Sequence, residues 1–143
     1  MGRPRRFDEA VAVSGAAALF ARHGYEGTSV DDLVRELGIH RGSLYSAFGS
    51  KRALYLRVLR EHVDSLATRP EPDGRVGDLT LLLRAAVERA PADRDAAELV
   101  RSGLDALGAR LSAHGSPKAL AQVLGEELIR RAGGPGPDGE DDP

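Results

Sequence analysis

Two short segments near the start of this chain carry apolar side chains at helical spacing, and only a few residues separate them. Apolar residues recur three and four positions apart between Val30 and Leu37, and again at Leu44 and Phe48. Gly38 lies just after the first segment, where its tolerance of positive φ favours the end of a helix. Two short helices joined by such a turn predict a helix-turn-helix.

Residues that commonly begin helices precede these segments. Thr28 and Ser29 are good N-cap residues, with acids three positions further on, and the pattern predicts a start near Val30. His40 is a weaker cap before the second helix, so either it contacts a phosphate or it lies exposed. Ser50 is expected to cap the helix that follows.

The same spacing predicts an all-α chain, because no segment alternates as a strand would. Loops are expected where Gly and Pro cluster, including Thr68 to Gly74. Ser116-Pro117 predicts the start of the last helix. The predicted helices run from Phe7 to about His23, then over 30–37, 41–48, 51–66, 78–89, from Asp93 or Asp95 to about His114, and on to about Arg131.

The charge is unevenly divided, and several chemistries are excluded. Residues 1–62 hold 10 Lys and Arg against 7 Asp and Glu, whereas residues 63–143 hold 10 against 15. A mildly basic half joined to an acidic half fits a DNA-binding head on a body that does not contact DNA, although chance produces such asymmetry too. The chain has no cysteine, which excludes disulfides and thiolate sites.

The outward side of the second short helix is small and polar, which suits insertion into a major groove about 12 Å wide. Arg41 can reach a guanine or a phosphate, and Ser43 and Ser46 can contact either base edges or phosphates. Tyr45 offers a hydroxyl for a phosphate contact, with core packing as the alternative. The predicted DNA-binding residues are Thr28, Ser29, His40, Arg41, Gly42, Ser43, Tyr45, Ser46 and Lys51.

Two further basic features point to the DNA backbone. Lys51 begins the next helix, so its charge and the helix N-terminus can meet one phosphate. The basic arm at residues 1–6 is expected to be flexible, and it either enters a minor groove or stays solvated. Its candidate contacts are Arg3, Arg5 and Arg6.

Residues 7–62 resemble the N-terminal domain of the TetR (tetracycline-repressor-like) family. The matching motifs, in order, are LFARHGYEGTS, VDDLVRELGI and RGSLYSAFGSKRALY. The resemblance implies a homodimer that binds a palindromic operator, usually as a repressor, and is released by a small ligand. It also implies that the positions of Thr28, Ser43, Tyr45 and Lys51 face DNA. The body is shorter than is usual in the family, so one or two helices that wall the ligand pocket are expected to be missing.

The last two predicted helices carry long apolar stripes that a three-helix body would leave exposed. We expect these stripes to pack against a second copy as a two-fold four-helix arrangement. Gly103, Gly108 and Gly125 either allow close helix approach there or only weaken the helices. The predicted dimer interface comprises Leu104, Leu107, Leu111, Leu120, Val123, Leu124 and Leu128.

The predicted organisation is a DNA-binding domain over 1–62, a helical dimerisation domain over 63–132 joined through the fourth helix, and a disordered tail over 133–143. No signal peptide or membrane span is recognised, so a cytoplasmic protein is expected. No constellation of catalytic residues or metal ligands occurs, so neither an enzyme nor a cofactor is expected. The alternatives are an interaction protein that pairs with another regulator and, last, a ligand-binding or enzymatic body with a vestigial head.

Overall fold

The computed structural model describes residues 7–68, 78–113, 115 and 119–133, and every regular element in these ranges is helical. The elements are α1 (Glu9–His23), α2 (Val30–Leu37), α3 (Arg41–Phe48), α4 (Lys51–Thr68), α5 (Thr80–Arg84) continued by a π-helical turn (Ala85–Arg89), α6 (Arg94–Ala113) and α7 (Leu120–Ala132). The all-α prediction is confirmed. The predicted start at Ser116-Pro117 lies outside the described residues.

Local sequence explains where the first helices begin and end. The Asp8 side chain accepts hydrogen bonds from the amides of Ala10 and Val11, and so it caps α1. Asp8, and not Phe7, therefore marks the boundary of the first helix. Gly24 ends α1 with φ at 75°, and Gly38 ends α2 with φ at 63°.

The core of the first half lies between α1, α2, α3 and α4. Phe20, Leu33 and Leu44 are completely buried there, and they hold the two short helices against α1 and α4. The Tyr55 ring meets the Phe20 ring edge-on at 5.0 Å between centroids. This packing holds α2 and α3 in a defined position relative to α1 and α4.

Helix α4 continues the core into the second half. It packs against α1 and α6. The buried residues form one continuous cluster that includes residues on both sides of position 62, where the sequence predicts the end of the first domain. Gly103 of α6 lies so close to α4 and α5 that a Cβ there would stand 2.9 Å from Val63 Cγ2 and 3.0 Å from Leu82 Cδ1. The close approach expected of this glycine is therefore made within the chain.

Helix α7 is the element least integrated into the core. None of its residues is buried, whereas every other helix contributes buried side chains. Arg131 holds its C-terminal end to the start of α5 through a 3.1 Å ion pair with Asp78. No helix in the described part of the chain is long and apolar enough to cross a bilayer.

Candidate nucleic-acid interface

The start of α2 is fixed by a reciprocal capping box between Ser29 and Asp32. The Asp32 amide donates to the Ser29 hydroxyl at 3.0 Å, and the Ser29 amide donates to the Asp32 carboxylate at 2.9 Å. The Ser29 hydroxyl also donates to the Asp32 carboxylate at 2.6 Å, and the hydrogen bonds that Ser29 donates hold the pKa of Asp32 below its ordinary value. Ser29 itself is exposed, so the predicted site residue lies at the surface.

The turn between α2 and α3 is short and left-handed at Gly38. The Ile39 amide donates back to the Val34 carbonyl at 3.2 Å, which closes the end of α2. His40 occupies the N-cap position of α3, and its side chain makes no capping hydrogen bond. His40 is exposed. Its exposure is compatible with a phosphate contact, which stays a prediction.

Helix α3 has a buried side and an exposed side. Leu44 and Phe48 pack into the core, with 0% and 8% exposure. Arg41, Gly42, Tyr45 and Ser46 are exposed on the other side and Ser43 is half-buried. A Cβ built on Gly42 meets nothing within 4 Å, so the surface around it is open. The residues predicted to face DNA thus share one uncovered, largely uncharged surface.

Arg41 is the one cation on this surface of α3, and it is already engaged. Its guanidinium forms an ion pair with Asp31 in the first turn of α2. Asp31, followed by Tyr45 one turn along α3, raises the pKa of Arg41. Sequence reasoning assigned Asp31 only to the helix start, because contacts between helices are not visible in periodicity.

Lys51 lies beside the start of α2 rather than pointing freely to solvent. Its ammonium donates to the carbonyls of Tyr25 at 3.0 Å and Thr28 at 3.1 Å, and it stands 4.2 Å from the centroid of the Tyr25 ring. The first turns of α2 and α4 are therefore neighbours. Ser50 caps α4 as predicted, since its hydroxyl accepts from the Ala53 amide at 3.0 Å.

Thr28 departs from the sequence expectation. It is completely buried, and its hydroxyl donates to the Gly24 carbonyl at 2.7 Å. The side chain thus closes the turn that precedes α2 and is not at the surface. A small β-branched residue in this tight turn packs inward, which the N-cap pattern alone could not distinguish. The predicted arm residues Arg3, Arg5 and Arg6 lie outside the described residues.

The apolar face predicted for dimerisation is only partly uncovered. Leu107 is 1% exposed inside the chain's own core, so it is not available to a partner, and the prediction is wrong for this residue. Leu128 is 50% exposed, and its neighbour Ile129, which sequence reasoning missed, is 74% exposed. The remaining predicted interface residues are half-buried: Leu104, Leu111, Leu120, Val123 and Leu124.

A polar groove of about 420 Å³ lies between α1 and α2, within the first half of the chain. Arg22 and Glu36 face each other across it at 3.6 Å. The groove is open to solvent and is lined mainly by charged side chains, unlike the apolar pockets that hold small effectors. It therefore does not correspond to the ligand site that the family resemblance implies for the second half.

Comparison with known proteins finds a family match within the first half of the chain. The family described as "Bacterial regulatory proteins, tetR family" matches residues 12–58, which run from α1 into α4. This range contains α2, the turn at Gly38 and the whole of α3.

Two curated relatives match the same region. The uncharacterized HTH-type transcriptional regulator YezE of Bacillus subtilis (strain 168) is 44% identical over 64 residues, which is 45% of this chain and 33% of that protein. The HTH-type transcriptional repressor BdcR of Escherichia coli (strain K12) is 48% identical over 66 residues, covering 46% and 34%. The matched region thus spans about a third of each relative.

A solved structure covers more of the chain at lower similarity. It is the crystal structure of a TetR family transcriptional regulator, PfmR, from Thermus thermophilus. It is 22% identical, covers 83% of this chain and 80% of that chain, and gives a TM-score of 0.47. This likeness is too weak to support a conclusion about the second half.

Proposed function

Because residues 12–58 match the family described as "Bacterial regulatory proteins, tetR family", we propose that the chain is a DNA-binding transcriptional regulator that recognises a palindromic operator as a homodimer. The observation that carries the proposal is the uncovered side of α3, held outward by Leu44 and Phe48 on its buried side. The two curated relatives are regulators by name, which agrees with the expectation that the chain is not an enzyme.

Helix α3 enters the major groove in this proposal. Small residues at Gly42, Ser43 and Ser46 let the helix backbone approach the base edges, and the serine hydroxyls can donate to or accept from them. Arg41 provides the donors that fit guanine O6 and N7. Tyr45, which is 42% exposed, reaches a phosphate at the groove edge.

In this proposal the phosphates of the DNA backbone contact the neighbouring N-terminal ends of α2 and α4. Both helices direct the positive end of their dipole toward this place, and the Lys51 ammonium lies beside the start of α2. Two of its three N–H groups are used by the chain, which fixes its position and leaves a third for a phosphate. The Ser29 hydroxyl donates to Asp32, and so Ser29 contributes at this edge by holding the start of α2 in place.

A second copy of the chain covers α7. Leu128 and Ile129 are adjacent and largely exposed on a helix with no buried residue. Two α6–α7 pairs packed about a two-fold axis bury these side chains and form four helices. The two copies of α3 then reach successive major grooves on one side of the duplex, about 34–36 Å apart.

Repression and release by a small ligand extend the proposal. BdcR is a repressor by name, and an operator-bound dimer obstructs transcription without further machinery. Release by an effector follows from the family resemblance alone. The effector is not specified by any described residue.

The test begins with selection of bound duplexes from fragmented genomic DNA by the full chain, repeated at several salt concentrations. A palindromic consensus with half-sites about one helical turn apart supports the proposal, whereas recovery of no preferred sequence overturns it. Lys51→Ala should weaken binding to every duplex. It should also reduce the slope of the logarithm of the binding constant against the logarithm of the salt concentration by about one unit per copy. Arg101→Ala is the control, because it removes one positive charge at an exposed position of α6, away from this surface. It should change neither the affinity nor its salt dependence.

A further inference from the structure

The ion pair between Asp31 and Arg41 lies at the centre of the surface assigned to DNA. It joins the first turn of α2 to the first residue of α3, across the helix-turn-helix. The side chains are 68% and 54% exposed, so the remaining donors of the guanidinium are open to a ligand. Tyr45, one turn along α3, interacts with the same guanidinium.

This pair is not required by the fold around it. The start of α2 is already capped by Ser29 and Asp32, and Asp31 takes no part in that box. An exposed ion pair also adds little to stability, because both charges are well solvated when apart. A carboxylate on a DNA-facing surface is unfavourable for binding phosphates, so its presence there calls for a role in recognition.

The geometry allows Asp31 to orient Arg41 without blocking it. A guanidinium has five N–H donors arranged as a planar fork, and one carboxylate contact leaves the other edge free. That edge matches the two acceptors of guanine in the major groove. The Asp31 carboxylate also offsets the positive charge of Arg41, so the pair gains less from a phosphate and releases fewer counterions from non-specific DNA than a lone guanidinium.

We propose that Asp31 is a positioning residue that directs the Arg41 guanidinium toward a guanine and away from phosphates. The inference rests on the DNA-binding function proposed above. In the operator complex the carboxylate keeps its bond to Arg41, while the guanidinium donates to O6 and N7 of one guanine in each half-site. On other sequences the neutral pair contributes little, and the ratio of specific to non-specific affinity is therefore high.

The test compares Asp31→Asn with the unmodified chain, using duplexes of about 30 base pairs that carry either the selected operator or mixed sequence. Affinity for the operator should fall and affinity for the mixed duplex should rise, so that their ratio drops about tenfold. The salt dependence on the mixed duplex should become steeper by about one unit per copy, because a free cation is gained.

Selection from randomised duplexes gives a readout that a purely structural role would not change. Asp31→Asn should lose the preference for one guanine in each half-site. Arg41→Lys should lose it too, since an ammonium cannot make the paired contact, while affinity for mixed DNA is kept. In an Arg41→Ala chain, Asp31→Asn should leave the base preference unchanged, because no guanidinium remains to be positioned.

Glu98→Gln is the matched control. Glu98 pairs with Arg94 at 3.2 Å on the exposed side of α6, and the variant makes the same charge change away from α3. It should alter neither the affinity ratio nor the base preference. The inference is overturned if Asp31→Asn keeps the guanine preference and salt dependence, or if Glu98→Gln changes them equally. An unmodified chain with no preferred sequence overturns the proposed function itself, before any variant is compared.

Discussion

Arg52 donates two hydrogen bonds to the buried carboxylate of Asp93, at 2.8 Å from Nε and 2.9 Å from Nη2. The same carboxylate caps α6 by accepting from the Ala96 amide at 3.3 Å, and it binds Arg89 of the π-helical turn at 3.0 Å. These bonds, led by the one from Arg52, hold the pKa of Asp93 far below its usual range. One side chain therefore joins the start of α4, the π-helical turn and the start of α6.

Asp93→Ala should lower the free energy of unfolding by about 1–3 kcal/mol, because α6 loses its cap and two guanidinium groups lose a buried partner. Urea denaturation monitored by circular dichroism measures the change. Asp95→Ala is the matched control, since Arg52 also contacts this carboxylate at 2.6 Å but Asp95 is exposed. Its effect should stay within about 0.5 kcal/mol, and equal losses for the two variants would contradict the assignment.

Gly103→Ala should destabilise the chain, whereas Gly125→Ala should not. The new Cβ at Gly103 meets the side chains of Val63 and Leu82, and we expect a steric cost in the upper part of the range of about 1–3 kcal/mol, which exceeds the gain in helix propensity of about 1 kcal/mol. A Cβ at Gly125 meets nothing within 4 Å, so there the gain should remain. Thermal unfolding measures both effects: the midpoint temperature should fall for Gly103→Ala and rise for Gly125→Ala. A loss at Gly125 would instead indicate that the second copy packs against this position.

His62 should make stability depend on pH just below neutrality. Its Nε2 is buried without a hydrogen-bond partner in the described part of the chain, and burial lowers the pKa of His62 despite the nearby Asp78. As the pH falls, His62 therefore binds a proton in the unfolded chain before it does so in the folded chain. Stability should fall as pH drops below about 6.5, the ordinary value for histidine, toward the lower pKa of the folded state.

His62→Gln tests this expectation by measuring the free energy of unfolding between about pH 7 and pH 5, above the range where most carboxylates titrate. The variant should show a flatter pH dependence than the unmodified chain. His23→Gln, at an exposed position of α1, is the matched control and should keep the original slope. An unchanged slope in the His62 variant would exclude this histidine as the source.

If the chain forms the proposed dimer through α7, Ile129→Glu should convert it to a monomer, because the new charge would have no partner in an apolar interface. Sedimentation velocity measures the assembly, and operator affinity should fall with it. Val87→Glu is the matched control, since Val87 is 72% exposed on the π-helical turn rather than on α7. A dimer that survives Ile129→Glu would contradict the α7 interface, and pairing with a longer regulator instead would favour the interaction-protein alternative.

The short helices could be predicted from the sequence because their signals are local. Periodicity and glycine stops place α2 at Val30–Leu37 and α3 at Arg41–Phe48, and the structure has the same bounds. The exposed side of α3 follows from the same pattern once Leu44 and Phe48 are assigned to the core. Whether these exposed residues bind DNA stays a prediction.

Contacts between distant parts of the chain could not be predicted. The bond from Arg52 to Asp93 spans 41 positions, and no periodic pattern encodes it. The apolar stripe of α6 predicts that Leu107 meets a partner, but α4 packs along α6 and Leu107 belongs to the chain's own buried cluster. A stripe shows that a helix face is buried without showing what buries it.

The π-helical turn over Ala85–Arg89 sets a different kind of limit on this chain. A π turn holds one residue more than an α-helical turn, and each residue of a helix advances the next by about 100°. If the same five residues formed regular α-helix instead, Arg89 would rotate about the helix axis, away from both Tyr25 and Asp93. Both contacts of Arg89 therefore depend on this segment keeping its wider turn, so the backbone conformation of five residues decides whether the side chain reaches its partners.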